Sequence, residues 1–155
     1  MFCCRVHQRP LNRLLPGLGA VIAAIAIAGP AIASPGQDYM LYCMGCHGAQ
    51  AQGVPGKIPP LAHALGRYMR SPLGRDYVLR VPGAANSVLS DAQLAAVLNW
   101  LAAQFDASDL SGDVPWFTTE EVTRSRHTPL ADVLSTRREV VRALAASGDA
   151  PAADY

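Results

Sequence analysis

The sequence lacks the broad basic face of a nucleic-acid-binding protein. Beyond residue 33 it carries one lysine, Lys57, and nine arginines against twelve carboxylates, which leaves that part of the chain with a net charge of −2. Affinity for the phosphate backbone grows with the number of Lys and Arg side chains that neutralise it. We therefore expect no nucleic-acid partner.

Charge is also absent from residues 14–28, an apolar run that follows three arginines. A basic start, an apolar stretch and small residues at 31 and 33 form the pattern of a secretory signal peptide. The run is shorter than the ~20 apolar residues that a membrane span needs, and Pro and Gly flank and interrupt it. We expect residues 1–33 to be a signal peptide cleaved after Ala33 and the protein to be periplasmic, with membrane attachment only if this segment stays uncleaved.

Cysteine is scarce after the predicted signal peptide, where only Cys43 and Cys46 remain of the four. A disulfide between residues three apart closes a very small loop, so it constrains little of the unfolded chain. A thioredoxin-type C-x-x-C should open a helix directly after a buried strand. Here the preceding segment favours a short helix that begins at Pro35, so a catalytic dithiol is the less expected alternative.

His47 follows the second cysteine directly, and Cys43-x-x-Cys46-His47 is the haem c attachment signature. Each thiol can add across a haem vinyl group to form a thioether, and the imidazole can ligate the iron. A zinc site would normally need four ligands, and His63 and His127 are the only other histidines after the predicted signal peptide. We expect one covalently attached haem c.

Around this motif, residues 34–105 resemble the small mono-haem class I cytochrome c domain. Tyr39 stands four residues before the first cysteine, where the family has an aromatic residue that packs on its last core helix. A glycine-rich loop and Pro59-Pro60-Leu61 follow the histidine, as in the family. The resemblance implies that the Pro59 carbonyl accepts the Nδ1 proton of His47, and that the fold is all-α, with helices wrapped around the haem.

The last core helix of the family is matched by residues 90–105. Ser90 with Gln93 three residues later predicts a capping box at its start. Apolar residues recur at helical spacing along it and predict a core stripe: Leu94, Val97, Leu98 and Leu101. We expect this helix to pack on the first helix and to do no chemistry.

The loop in which the family supplies a methionine as second axial ligand, residues 80–88, contains no methionine. Val81-Pro82 stands where the family commonly has Met-Pro. Met69 is the only methionine after the haem motif, and we predict it as the sixth iron ligand. Met/His ligation raises the reduction potential and suits electron transfer.

Other sixth ligands stay open: His63, His127, or no protein ligand at all. An open iron position permits small-molecule binding or catalysis. Catalysis at the iron would call for a distal acid or base, and the nearby polar candidate, Asn86, is a poor proton carrier. An enzyme is therefore less expected than an electron carrier.

Residues 106–155 extend beyond the minimal domain and predict about two further helices. Thr118 with Glu121 three residues later predicts another capping box, and Pro129 marks a second helix start. The extension either packs on the domain and covers the side that the short ligand loop exposes, or docks an acidic redox partner. The second hypothesis uses five arginines: Arg124, Arg126, Arg137, Arg138 and Arg142.

Together these features predict a periplasmic mono-haem c-type cytochrome that carries single electrons. The expected donor is a periplasmic dehydrogenase, and the expected acceptor is a cytochrome or an oxidase. The alternative is a haem enzyme or small-ligand sensor whose sixth iron position is empty or labile.

Overall fold

A computed structural model describes residues 33–108, 110 and 114–149, so the predicted signal peptide lies outside the described residues except for Ala33. Within these residues the regular structure is helical apart from one isolated bridge, Val54 to Ile58, which confirms the predicted all-α fold. The helices there are too short or too polar to traverse a bilayer. The helices are α1 (Pro35–Tyr42), α2 (Met44–His47), α3 (Leu65–Met69), α4 (Pro72–Arg80), α5 (Pro82–Ala85), α6 (Asp91–Phe105), α7 (Thr119–Ser125) and α8 (Val133–Ala146).

Helix α1 begins at Pro35, as predicted, because Ser34 caps it. The Ser34 hydroxyl accepts a hydrogen bond from the Gln37 amide, and the Gln37 side chain accepts one from the Ser34 amide at 2.8 Å. This reciprocal pair satisfies two of the four amides that a helix start leaves without a partner. The helix ends at Tyr42, and the next residue, Cys43, occupies the position before the first residue of α2.

Helix α6 is the longest helix of the core and packs on α1. Its predicted capping box between Ser90 and Gln93 is present. The ring centroid of Tyr39 lies 5.7 Å from that of Trp100, which confirms the predicted contact of this tyrosine with the last core helix. All four residues of the predicted apolar stripe are buried: Leu94, Val97, Leu98 and Leu101.

The segment that leads into α7 is joined to α6 by a pair of hydrogen bonds. The Asn99 side chain accepts from the Phe117 amide and donates to the Phe117 carbonyl, both at 2.9 Å. Thr118 then caps α7 by accepting from the Glu121 amide at 3.2 Å, which is one half of the predicted capping box. The other half was wrong, because the Glu121 carboxylate accepts instead from Arg75 Nε at 2.7 Å. Phe117 and Val122 are buried in the same core cluster as α6, so this part of the extension enlarges the core.

Helix α8 begins at Val133, four residues after the predicted start at Pro129. The segment before it is attached to the end of α4, because Arg80 Nε donates to the Thr128 carbonyl at 2.7 Å and the Leu130 amide donates to the Arg80 carbonyl at 3.3 Å. Asp132 then caps the helix by accepting from the Ser135 amide at 2.9 Å. The predicted helix start at Pro129 was wrong because Thr128 and Leu130 are bonded to Arg80, a contact between residues that are distant in sequence.

Arg126 does not lie on a solvent-facing basic surface, so the predicted five-arginine docking face is wrong at this position. Its side chain is 5% exposed and lies 3.0 Å from Asp91. It also donates to the backbone carbonyls of Leu89, at 2.8 Å, and Ser87, at 2.5 Å. Arg126 therefore attaches the extension to the loop that precedes α6.

Candidate cofactor site

A cavity of about 360 Å³ lies between the helices. That volume is in the range of sites that bind small molecules and cofactors. One part of its wall is α2 with the loop at 57–61, and another is the end of α4 with α5. The inward face of α6 closes it with apolar side chains: Leu94, Val97, Leu98 and Leu101.

Cys43, Cys46 and His47 all line this cavity. Both cysteines are free thiols, Cys43 partly buried and Cys46 exposed. Burial raises the pKa of the Cys43 thiol, and the negative charges of Asp38 and Cys46 raise it further. A reactive redox dithiol needs a lowered thiol pKa, so this environment disfavours the dithiol alternative.

His47 is oriented by its neighbour in the cavity wall. Its Nδ1 lies 3.1 Å from the Pro59 carbonyl oxygen, so the hydrogen bond predicted between these residues is present. Burial lowers the pKa of His47, and the bond to Pro59 acts in the opposite direction. With Nδ1–H donating to the carbonyl, a neutral imidazole keeps its lone pair on Nε2, the nitrogen that could bind a metal.

The loop after His47 folds back tightly enough to require glycine. The Gly53 amide donates to the His47 carbonyl at 2.8 Å. Gly53 has a φ of 68°, and a Cβ there would lie 2.3 Å from the Ile58 carbonyl oxygen and 2.7 Å from that of Pro59. Only a residue without a side chain fits, and this close approach holds the Pro59 carbonyl beside His47.

The candidates for a second axial ligand lie elsewhere. Met69 is 0% exposed and packs in the main core cluster, outside the cavity lining. His63 has a φ of 60° and also lies outside the lining. His127 has a side chain that is 66% exposed and lies 3.9 Å from Asp91. Asn86 does not line the cavity either.

Val81 and Pro82, which stand where the family commonly has Met-Pro, do line the cavity. Among the described residues of the lining, His47 is the only histidine and methionine is absent. Nor do the described residues contain a group of three or more His, Cys, Asp or Glu side chains that could hold a metal ion by themselves. A single histidine cannot hold a metal ion by itself. The lining therefore fits a metal that an organic ring already coordinates, with His47 as a ligand from the protein.

Sequence reasoning missed part of the wall. Tyr68 and Tyr77 line the cavity as a stacked pair with ring centroids 5.6 Å apart, and Val133 of α8 lines it as well. Arg137 of α8 was predicted on the docking face, but it is partly buried and lines the cavity. The sequence does carry a signal for α8. Residues 133, 137, 140 and 144 recur at helical spacing, so one face of the helix carries an arginine among apolar residues.

An α-helical domain with a C-x-x-C-H motif on the wall of an apolar cavity defines the class of haem c proteins. Residues 33–104 match the family model "Cytochrome c". The chain is 32% identical over 142 residues to a "Cytochrome c-552" of Thermus thermophilus, covering 77% of this chain and 95% of that protein. It is 34% identical over 119 residues to another Thermus thermophilus "Cytochrome c-552", covering 63% of this chain and 90% of that protein.

The chain therefore belongs to the cytochrome c family. It is a mono-haem c-type electron carrier with one covalently bound haem c, and it works with redox partners. The larger of the two matches spans 77% of the chain and so extends beyond residues 33–104.

Proposed function

We propose that this cytochrome is exported to the periplasm and carries single electrons from a periplasmic dehydrogenase to a later acceptor, such as another cytochrome or an oxidase. Cys43 and Cys46 hold the haem through thioether bonds, and His47 ligates its iron from one face. Pro59 fixes the ring of His47. When bound, the haem supplies an iron that exchanges one electron.

The observation that supports this proposal best is the hydrogen bond of 3.1 Å between His47 Nδ1 and the Pro59 carbonyl. It selects the tautomer that leaves Nε2 for the iron and makes the imidazole a more basic ligand. The two thiols that line the same cavity are close in sequence, at positions −4 and −1 from the histidine. Attachment and ligation therefore use a single short segment.

The remaining wall suits electron transfer because it is lined mainly by apolar side chains. The apolar stripe of α6 gives a low-dielectric surface, and burial of the haem is one of the means by which a protein sets its potential. Tyr42 lines the cavity yet is 52% exposed, and Cys46 and Lys57 are exposed as well. This rim is the place at which a partner would come nearest to the haem.

A redox titration of the purified, haem-loaded protein tests the proposal. An electron carrier should show one reversible one-electron transition and should reach the periplasm of a host that attaches haem c. The protein should also be reduced by a periplasmic dehydrogenase and reoxidised by an acceptor cytochrome or oxidase. A protein that is retained in the cytoplasm, or that exchanges no electrons with such partners, would contradict it.

The predicted ligation by Met69 belongs to this proposal and calls for Met69 to leave its core position. The cavity lining supports a second candidate, a haem enzyme or small-ligand sensor with a labile sixth position, because its described residues include no methionine and no histidine besides His47. Ferric and ferrous spectra with and without carbon monoxide separate the two. A near-infrared thioether-to-iron band that is lost in Met69→Leu supports the carrier with Met69 as ligand, whereas high-spin iron that binds carbon monoxide at once supports the second candidate.

A further inference from the structure

Arg137 occupies an apolar position on α8. The face of this helix that packs on the domain carries Val133, Val140 and Leu144, and Val140 and Leu144 are buried. Arg137 follows Val133 by four residues and precedes Val140 by three, so it shares that face. Its neighbour Arg138 is exposed, whereas Arg137 is partly buried.

The inward position brings the side chain of Arg137 to the cofactor cavity. Arg137 and Val133 both line the cavity, and they are its only lining residues from the described part of the extension. Burial raises the pKa of Tyr68 in the same wall, and the positive charge of Arg137 acts in the opposite direction. Arg137 and Tyr68 therefore lie close enough together in the cavity wall for the charge of Arg137 to act on the tyrosine hydroxyl.

A guanidinium at the wall of a cavity favours an anionic group in whatever occupies that cavity, because charges interact more strongly where solvent is excluded. The haem that this family attaches carries two propionate carboxylates on its rim. A guanidinium matches a carboxylate with two parallel N–H···O bonds, a geometry that lysine does not offer. Lys57 also lines the cavity, but it is exposed, so its charge is screened by solvent.

We propose that Arg137 binds a propionate carboxylate of the haem, so that the C-terminal extension is part of the cofactor site and not only a cover for the domain. This inference rests on the proposed attachment of haem at Cys43 and Cys46. Arg137 is then a positioning residue for the haem, and its positive charge raises the reduction potential, because it disfavours the ferric form, which carries one more positive charge than the ferrous form.

The test compares the full haem-loaded chain with Arg137→Met, Arg137→Lys and the matched control Arg138→Met. Resonance Raman spectroscopy of the haem carboxylate-bending band reports directly on hydrogen bonds to the propionates, and the reduction potential is measured on the same samples. We expect Arg137→Met to shift the band and lower the potential. Arg137→Lys should shift the band but keep most of the potential, and Arg138→Met should change neither.

The proposal is overturned if Arg137→Met carries covalent haem and shows the same band and potential as Arg138→Met. Should Arg137→Met fail to fold, Arg137→Lys decides, since an unchanged carboxylate band in that variant also overturns the proposal. A shifted band with a retained potential in Arg137→Lys supports it. Absence of covalent haem from the unsubstituted chain is a different failure, because it overturns the attachment at Cys43 and Cys46 and this inference with it.

Discussion

The guanidinium of Arg126 lies 2.8 Å from the carbonyl oxygen of Leu89 and joins α7 to the loop that leads into α6. The same side chain lies 3.0 Å from Asp91, in the first turn of α6. Ser87, whose carbonyl accepts a third hydrogen bond from Arg126, lines the cofactor cavity. One arginine of the extension therefore fixes the loop beside the site at which the family commonly supplies its second iron ligand.

Replacing Arg126 with methionine should destabilise the protein strongly. The change removes hydrogen bonds to two backbone carbonyls and an ion pair that is largely buried on the arginine side. We expect a loss of about 2–4 kcal/mol in the free energy of unfolding, measured by denaturant titration. Arg124→Met, at an exposed position of α7 two residues earlier, is the control and should change the free energy by less than about 0.5 kcal/mol. Equal effects of the two substitutions would contradict the role of Arg126.

Acid should weaken the contact between Arg126 and Asp91. The hydrogen bond from Thr123 lowers the pKa of Asp91, and the charge of Arg126 lowers it further. A carboxyl whose pKa is lower in the folded state stabilises the protein above its unfolded pKa of about 3.9 and loses that contribution as the pH falls through the folded pKa. The denaturant concentration at which half of the protein is unfolded should therefore fall as the pH drops below about 5. It should fall less in Thr123→Val, because that variant lacks the hydrogen bond that lowers the pKa of Asp91 most. A Thr123→Val variant with the full pH dependence would show that this hydrogen bond does not matter.

Local signals in the sequence were enough for the helix starts at Pro35, Asp91 and Thr119, because the residue before each start accepts a hydrogen bond from an amide three residues further along the chain. The haem motif was equally readable, since its three residues are nearly adjacent. The buried position of Arg126 could not be predicted from the sequence, because its partners Leu89 and Asp91 lie 37 and 35 residues away. The spacing of apolar residues along a helix shows that a charged residue among them faces inward, but it does not show which cavity that residue lines.

The start of α8 and the wall of the cavity depended on similar long-range contacts. Pro129 is a reasonable helix start by local rules, yet its neighbour Leu130 is bonded to Arg80 of α4. Arg137 lies beside the cavity only because α8 packs on α4, which cannot be read from either helix alone. Met69 shows the same limit, since its residue type suits iron but its burial follows from the packing of α3.

Gly53 should be among the least replaceable residues near the site. Alanine there adds a Cβ 2.3 Å from the Ile58 carbonyl oxygen in a conformation with positive φ. We expect Gly53→Ala to destabilise the holoprotein by more than about 2 kcal/mol and to raise the reduction potential, because a disturbed hydrogen bond from His47 to Pro59 makes the imidazole a less basic ligand, which stabilises ferric iron less. Unfolding curves and redox titrations measure the two effects.

Gly56→Ala provides the matched control, since Gly56 also has a positive φ, of 72°, but nothing lies within 4 Å of an added Cβ. It should lose only about 1 kcal/mol and keep the potential. The role of the close approach at Gly53 is refuted if both alanine variants behave alike.

The extension should contribute stability through its buried face. Leu144 is 1% exposed in the cluster with Tyr68 and Tyr77, whereas Leu134 of the same helix is 60% exposed. Leu144→Ala should lower the free energy of unfolding by about 2–4 kcal/mol, and Leu134→Ala by less than about 0.5 kcal/mol. A small effect at Leu144 would mean that α8 does not pack on the domain in solution.

The central claim, that Cys43 and Cys46 attach one haem c, is tested most directly by a pyridine haemochrome assay combined with intact-protein mass. The full chain is produced with the haem c attachment machinery, beside a Cys43→Ala/Cys46→Ala variant. We predict one covalently bound haem per chain, with the spectrum of two thioether links, and none in the variant. A chain without covalent haem, or a variant that retains it, would contradict the account.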